Sequence, residues 1–290
     1  MKHFFRSVSE IAMLAVAMAA SSAMAAQSSA YAVSAELSTD GGSPVHMAPQ
    51  LETSGITTLG QTYSKPLHSA MISKSLRLVP SLSRSPVLTV LELQGTTLAV
   101  GSNGVDTINT SGTSSAGSGT IALILPLRSV IDPPRPLPVP ASSASSVDDA
   151  KSVSAQPLPP LNVTALRVQF NKLKAAAQYS QVIPGPSQRS GSASFGSLVL
   201  SGTLVGTKPL TFSGEIKPNT VVVDTPSVKV TLNAQTIPQN PVCDPGKPCP
   251  LFRVLETVET KAVLVELTNA SVLGHQVSGN IVIGDAEAGQ

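Results

Sequence analysis

The chain has no tryptophan, three tyrosines, six phenylalanines and two cysteines among its 290 residues. Charged residues make up only 12%, and 19 Lys and Arg against 17 Asp and Glu give a formal net charge of +2. Phosphate binding needs clustered Lys and Arg, so the scattered cations predict no nucleic-acid partner. Sugar-binding platforms use aromatic ring faces, so a carbohydrate-binding module would depend on Tyr31, Tyr63 and Tyr179.

Motifs of familiar catalytic and cofactor chemistry are also missing. The sequence has no Gly-x-Ser-x-Gly nucleophile elbow, no Walker or dinucleotide-binding glycine pattern and no EF-hand-like acidic run. Three histidines follow the first 25 residues, His46, His68 and His275, and none has a metal-ligand spacing. We therefore expect no catalytic, cofactor-binding or metal-ligating residue.

The carboxylates do not form an obvious acid/base pair. Glu256 and Glu259 are three residues apart, so on a strand they would face opposite sides of the sheet, and Glu266 lies further along. The other candidates are interpreted as isolated turn residues: Asp224, Asp285 and Glu287. A glycosidase needs two carboxylates that face each other across the scissile bond, and the sequence does not point to such a pair.

What the sequence does contain begins with a secretory leader. Lys2 and Arg6 form a basic region, Ile11–Ala20 is a short apolar run, and Ala23–Ala25 gives the small-x-small pattern that signal peptidase recognises. We predict a signal peptide over residues 1–25 and a mature chain that starts at Ala26. No later run is long and apolar enough for a membrane-spanning helix. The protein is therefore expected to be periplasmic, displayed on the cell surface or secreted.

Period-2 alternation of apolar and polar residues recurs along the chain and predicts β-strands, for example over Tyr31–Leu37, Val228–Leu232 and Val263–Leu267. Strands separated by Gly, Asn or Pro favour an all-β, sandwich-like architecture of antiparallel strands. We expect residues 26–131 and 162–290 to be two halves of one β domain that share a core.

Three local expectations accompany this fold. Gln94-Gly95 is interpreted as a hairpin turn, and the Ser/Gly-rich stretch Gly112–Gly119 as a flexible segment. Asn171–Gln178 contains good helix formers and either makes about two helical turns or continues a strand.

Between the two halves lies a segment of unusual composition. Asp132–Pro160 contains eight prolines among Ala and Ser, and proline removes ladder donors and favours extended structure. We predict a mobile linker or long surface loop over residues 132–161.

The two cysteines, Cys243 and Cys249, enclose an Asp-Pro-Gly-Lys-Pro turn. In an oxidising compartment they are expected to form a structural disulfide that closes a small loop. A redox-active pair would normally have Cys-x-x-Cys spacing at the start of a helix.

Several segments resemble the choice-of-anchor P family of exported bacterial proteins. They are, in chain order, Ser29–Ser34, Gly196–Thr203, Pro218–Thr220 with Val228–Gln235, and Gly279–Gly289. The resemblance implies an exported β-rich domain displayed on the cell surface, without enzymatic activity. The chain departs from the family in the Pro-rich segment and in the lack of a recognisable C-terminal anchoring motif.

These observations together predict an exported, non-enzymatic structural or binding protein of the bacterial cell envelope or extracellular space, with an unidentified partner. The alternatives are a secreted polysaccharide-active hydrolase and a carbohydrate-binding module. Two carboxylates that line one concave groove would favour the hydrolase, whereas a flat surface would favour the structural protein.

Overall fold

The computed structural model describes residues 25–65, 68–79, 85–126, 162–183, 185–238, 257–272 and 274–290. These residues form β-strands and turns without a helix, so no helix among them could cross a membrane. The predicted all-β class is confirmed. Residues 1–24 of the predicted leader, the Asp132–Pro160 segment and both cysteines lie outside the described residues.

The described residues contain fourteen strands, which pair antiparallel in two sheets. In chain order the strands are β1 (Ala26–Thr39), β2 (Val45–Gln50), β3 (Thr53–Thr57), β4 (Gln61–Ser64), β5 (His68–Arg77), β6 (Val87–Asn103), β7 (Thr107–Pro126), β8 (Asn162–Val182), β9 (Ser187–Ser201), β10 (Leu210–Ile216), β11 (Thr220–Asp224), β12 (Val228–Thr236), β13 (Thr257–Val272) and β14 (His275–Gly289).

The two sheets pack face to face as a sandwich. Sheet I has the order β11-β12-β13-β14-β1-β2, and β3 also pairs with β1. Sheet II has the order β10-β9-β8-β7-β6-β4, and β5 also pairs with β6. Each sheet therefore contains strands that precede residues 127–161 in the sequence and strands that follow them. The buried side chains of all these strands form one apolar cluster.

In the long strands, the alternation of buried and exposed residues shifts by one position near the middle of the strand. We call this shift a phase change, because the residues that face the core are even-numbered on one side of it and odd-numbered on the other. In β8, Val168 and Phe170 face the core before Lys172, whereas Leu173 and Ala175 face it afterwards. Lys172 has a left-handed backbone with φ of 50°, and such a residue disturbs the regular alternation of a strand. Sheet I changes phase in the same way at Asn233 in β12, where φ is 49°.

This phase change divides the core into two ends. The bulky end holds large aliphatic and aromatic side chains, among them Val168, Phe170, Leu198, Leu200, Val263, Val265, Ile281 and Ile283. The small-residue end holds mostly alanines, among them Ala26, Ala30, Ala175, Ala177, Ala193, Ala286 and Ala288. Small side chains let two sheets approach closely, so the sandwich is thinner at this end.

Two local predictions are wrong. Gln94-Gly95 is not a hairpin, because β6 runs through it without a break and Gly95 pairs with Ala116; a Cβ on Gly95 would lie 2.7 Å from Leu51 Cδ1. Gly112–Gly119 is not a flexible segment but part of β7. For Asn171–Gln178, the strand alternative is the one observed, within β8. Gly95 and Gly112 lie inside strands where the neighbouring sheet leaves no room for a side chain, and neither forms a turn.

Candidate functional site

Three carboxylates gather on the face of sheet I that points away from sheet II. Glu259 in β13 lies directly opposite Glu287 in β14, and Lys261 lies opposite Asp285. Residues two apart on a strand share a face, so Asp285 and Glu287 project together. One oxygen of each of the three carboxylates lies within 4.8 Å of the others. We call Glu259, Asp285 and Glu287 the acidic cluster.

Asp285 is the buried member of the acidic cluster. The residue is 1% exposed, and neither of its carboxylate oxygens accepts a hydrogen bond of normal length and angle, although the Tyr31 hydroxyl lies close enough to interact with them. Burial, and then the charge of Glu259, raise the pKa of Asp285 to about 7, although Tyr31 and Lys261 act in the opposite direction. The carboxyl group thus sits in a place that disfavours its ionised form.

The two glutamates have partners that Asp285 lacks. Lys261 Nζ lies 2.7 Å from Glu259 Oε1, and the Ser29 hydroxyl donates a hydrogen bond of 2.8 Å to Glu287 Oε2. Tyr31 in β1 is the register partner of Asp285. Burial, followed by the charge of Asp285, raises the pKa of the Tyr31 phenol well above its usual range.

The expectation for two of these carboxylates is wrong. Asp285 and Glu287 are not isolated turn residues, because both lie inside β14 and belong to one cluster with Glu259. Glu266 lies elsewhere on β13, with its carboxylate 3.8 Å from Lys229 Nζ. Glu256 lies outside the described residues. The missing signal was the β13–β14 hairpin, which brings residues 259 and 287 opposite each other.

Two shallow grooves border the acidic cluster. One of about 410 Å³ contains Ser29, Lys65 and Glu287. The other, of about 310 Å³, contains Glu259, Lys261 and Glu266 among its lining residues. The cluster therefore reaches solvent through its two glutamates, with Asp285 beneath them.

Glu259 and Glu266 line one groove, which is the arrangement that would favour a hydrolase. Seven residues of strand separate them, however, which at about 3.3 Å per residue is roughly 23 Å. Glycosidase carboxyl groups lie about 5–9.5 Å apart. Each glutamate also has a lysine partner, Lys261 or Lys229. The groove does not have the geometry of a glycosidase pair.

Another groove, of about 460 Å³, lies on the outer face of sheet II. Short polar side chains of β4, β6, β7 and β8 line it, including Ser64, Ser102, Asn109, Gln178 and Ser180. The Ser180 hydroxyl donates a hydrogen bond of 2.7 Å to Asn109 Oδ1. This groove can form hydrogen bonds with a ligand but supplies no carboxylate among its lining residues.

Each of the three tyrosines makes contacts within the protein, although Tyr63 also lines two of the grooves. The ring of Tyr63 fills the space beside Gly55 and Gly101, and its hydroxyl lies 2.6 Å from Ser28 Oγ. Tyr179 is 2% exposed. Tyr31 packs within the acidic cluster. The tyrosine rings that could stack on a sugar therefore all make contacts within the protein.

The three histidines lie on different strands. His275 Nδ1 is 2.8 Å from Asp40 Oδ2, and the Gln276 amide donates to Asp40 Oδ1. The hydrogen bond with His275, and then that from Gln276, lower the pKa of Asp40. His46 lies 4.0 Å from Glu36, and His68 begins β5. Within the described ranges, none of them joins a cluster of three metal-ligating side chains.

No protein-family model and no curated protein matches this chain.

Proposed function

We propose that this chain is an exported, non-enzymatic structural or binding protein of the bacterial cell envelope or extracellular space. The observation that carries the proposal is the outer face of sheet II at the small-residue end. Neighbouring strands there place short polar side chains in register, including Ser111 beside Gln178 and Ser115 beside Lys174. Ser190 and Ser194 continue the same rows on β9. We call this surface the hydroxyl face.

The chemistry of the hydroxyl face suits adhesion better than catalysis. General acid/base chemistry relies on groups such as His, Asp, Glu, Lys, Tyr and Cys, whereas Ser and Thr hydroxyls mainly form hydrogen bonds. Thr96 and Ser115 already illustrate this, since their hydroxyl oxygens lie 2.6 Å apart across neighbouring strands. A broad face of such groups offers many weak hydrogen bonds to an extended polar partner.

The start of the sandwich supports export. Ala26, the residue expected after signal-peptide cleavage, is the first residue of β1 and is fully buried. Gln27 pairs with Ile56 on one side and with Gly289 on the other. A chain cleaved after Ala25 would therefore keep every residue of this central strand.

Cell fractionation of a bacterium that expresses the full chain tests the proposal. We expect the protein outside the cytoplasm, with Ala26 at its N-terminus by sequencing. Retention in the cytoplasm with the leader intact would contradict export. The purified protein should release no new reducing ends from polysaccharides; release that Glu259→Gln abolishes and Glu266→Gln preserves would establish the hydrolase instead.

Co-sedimentation with isolated cell envelopes tests the hydroxyl face directly. Ser111→Glu with Ser192→Glu places two charges on this face and should reduce the bound fraction several-fold. The control, Ser54→Glu with Ser271→Glu, places the same charges on exposed positions of sheet I. Equal losses in both variants would show that the hydroxyl face is not the binding surface.

A further inference from the structure

We propose that the acidic cluster is a calcium site, in which Glu259, Asp285 and Glu287 together bind one Ca²⁺ on the outer face of sheet I. This inference goes beyond the proposed function and does not depend on it. It rests on the donor atoms, on their spacing and on the buried state of Asp285.

The donor set and its spacing fit a hard cation. All three side chains offer carboxylate oxygens, which suit Ca²⁺ and Mg²⁺, whereas zinc sites are usually built from His and Cys. Ca²⁺ binds oxygens at about 2.3–2.6 Å, so two of its ligands can lie about 5 Å apart. The oxygens of the cluster lie within 4.8 Å of one another. A Mg²⁺ ion, with ligands at about 2.0–2.1 Å, spans only about 4 Å and demands a stricter octahedral geometry.

Asp285 is the observation that points to a ligand rather than to a surface cluster. It is 1% exposed, and neither of its oxygens accepts a hydrogen bond of normal length and angle; the nearby Tyr31 hydroxyl interacts with it only outside that geometry. One of these oxygens lies among those of Glu259 and Glu287. Buried polar groups are almost always satisfied, and an unpaired buried carboxylate is costly. A cation placed between the three carboxylates would supply the missing partner.

The charge balance also favours a divalent ion. Among the described residues, the ammonium group that pairs with these carboxylates is that of Lys261, so the ionised cluster carries two uncompensated negative charges. Lys261 contacts Glu259 through Oε1, and a carboxylate has a second oxygen for the ion. One Ca²⁺ neutralises the remainder.

Supporting contacts and access are present. The Ser29 hydroxyl donates to Glu287 Oε2 and so orients that carboxylate, as outer partners of metal ligands do. The Glu259 side chain is 26% exposed, and Glu287 lines a groove. An ion can therefore enter from solvent and reach Asp285 beneath the glutamates.

The test uses the purified exported chain after dialysis against EDTA. Its melting temperature is measured as CaCl₂ is raised to about 10 mM at constant ionic strength. We expect a progressive increase, with a midpoint near 10⁻⁴–10⁻³ M, which is typical of extracellular calcium modules. Titration calorimetry should give one ion per chain, and MgCl₂ at equal concentration should give a clearly smaller shift.

Three variants assign the effect to the cluster. Asp285→Asn keeps the shape of the side chain but removes its charge, so the variant should fold and lose the calcium-dependent shift. Glu287→Gln should also lose most of it. Glu266→Gln is the matched control, because Glu266 lies on β13 and lines the same groove as Glu259 but is outside the cluster; it should keep the full shift.

Three results would overturn the proposal. The first is a wild-type melting temperature that does not respond to CaCl₂ over this range, which would assign Asp285 as a protonated structural carboxyl. The second is a shift that persists in both Asp285→Asn and Glu287→Gln. The third is a response to MgCl₂ as large as the response to CaCl₂.

Discussion

At the scale of one residue, Gly112 shows why the sheets can approach so closely at the small-residue end. A Cβ at this position would lie 2.3 Å from the Ser29 carbonyl oxygen and 2.5 Å from that of Glu287. Both obstacles are backbone atoms of sheet I, so they cannot rotate away as a flexible side chain would. One of these strands, β14, carries Asp285 and Glu287 of the acidic cluster on its other face.

Gly112→Ala should therefore lower the free energy of unfolding by about 1–3 kcal/mol, the usual cost of overpacking a core. Gly117→Ala on the same strand is the control, because its Cβ would meet nothing nearer than the Gln94 side chain at 3.4 Å. Urea denaturation of both variants measures the difference. Equal stabilities would show that the sheets can separate locally at little cost.

The interaction between Asp40 and His275 predicts that the stability of the folded protein depends on pH. The pKa of Asp40 is lowered in the folded state by its hydrogen bonds with His275 and the Gln276 amide. Its contribution to stability is therefore present above the unfolded pKa, near 3.9, and is lost as the pH falls through the lower folded value.

We expect Asp40→Asn to be less stable than the wild type at neutral pH, and the difference to disappear as the pH falls below about 4. Asn tolerates the left-handed backbone of Asp40, whose φ is 53°, so the substitution changes the charge with little backbone strain. Thermal unfolding at several pH values between neutral and acidic measures the difference in stability between the variant and the wild type. Glu52→Gln, at an exposed position, is the control. A difference that is constant over this range would contradict the assignment.

At the scale of the element, the sequence predicted where strands occur better than how far each strand extends and where its alternation shifts. Alternation identified Val228–Leu232 because this stretch lies within one phase of β12. Tyr31–Leu37 was also predicted as a strand, but its phase changes at Ala32 and Val33, which are both buried, so Tyr31 lies on the outer face.

The phase change in β8 was not predicted, because Lys172 is neither Gly nor Asn and carries no turn signal. Asn233 in β12 belongs to a residue type that tolerates a left-handed backbone, but a single Asn in an alternating stretch does not indicate a phase change by itself. Local helix propensity over Asn171–Gln178 was overridden, because Ala175 and Ala177 are buried between the closely packed sheets.

The acidic cluster escaped prediction for a related reason. Asp285 and Glu287 stand among Gly and Ala, which resemble turn composition, and only the pairing of β13 with β14 gives them a partner. Period-2 alternation shows which residues share a face of one strand, but the register between strands also depends on the turn. The cluster could have been predicted only after the hairpin register was known.

The phase change in β8 predicts that valine, although it favours strands, destabilises the protein at position 172. Lys172→Val should destabilise the protein by about 1–2 kcal/mol, because the left-handed conformation is costly and worst for a β-branched residue. Lys174→Val, at an exposed position two residues further along β8, should be neutral or slightly stabilising, since valine favours regular strands. The denaturant midpoints of the two variants show which substitution is the more destabilising. The opposite order would mean that residue 172 can adopt an ordinary strand conformation.

At the scale of the whole molecule, the two ranges on either side of residues 127–161 depend on each other. β14 lies between β13 and β1 in sheet I, and β8 lies between β7 and β9 in sheet II. Separating the ranges would remove one neighbour from each of these central strands. The range 162–290 alone should therefore fail to unfold cooperatively.

The connection itself should be dispensable for folding. Pro126 at the end of β7 and Asn162 at the start of β8 are register partners, so a hairpin loop of about five Gly and Ser residues can join them. Shortening the connection from roughly 35 residues to five reduces the loop-closure cost by about 1.7 kcal/mol. We expect the shortened protein to unfold in one cooperative transition at an equal or higher temperature in scanning calorimetry. Failure to fold, or two separate transitions, would show that residues 127–161 contribute to the core, and a cooperative transition in 162–290 alone would show that the halves are independent.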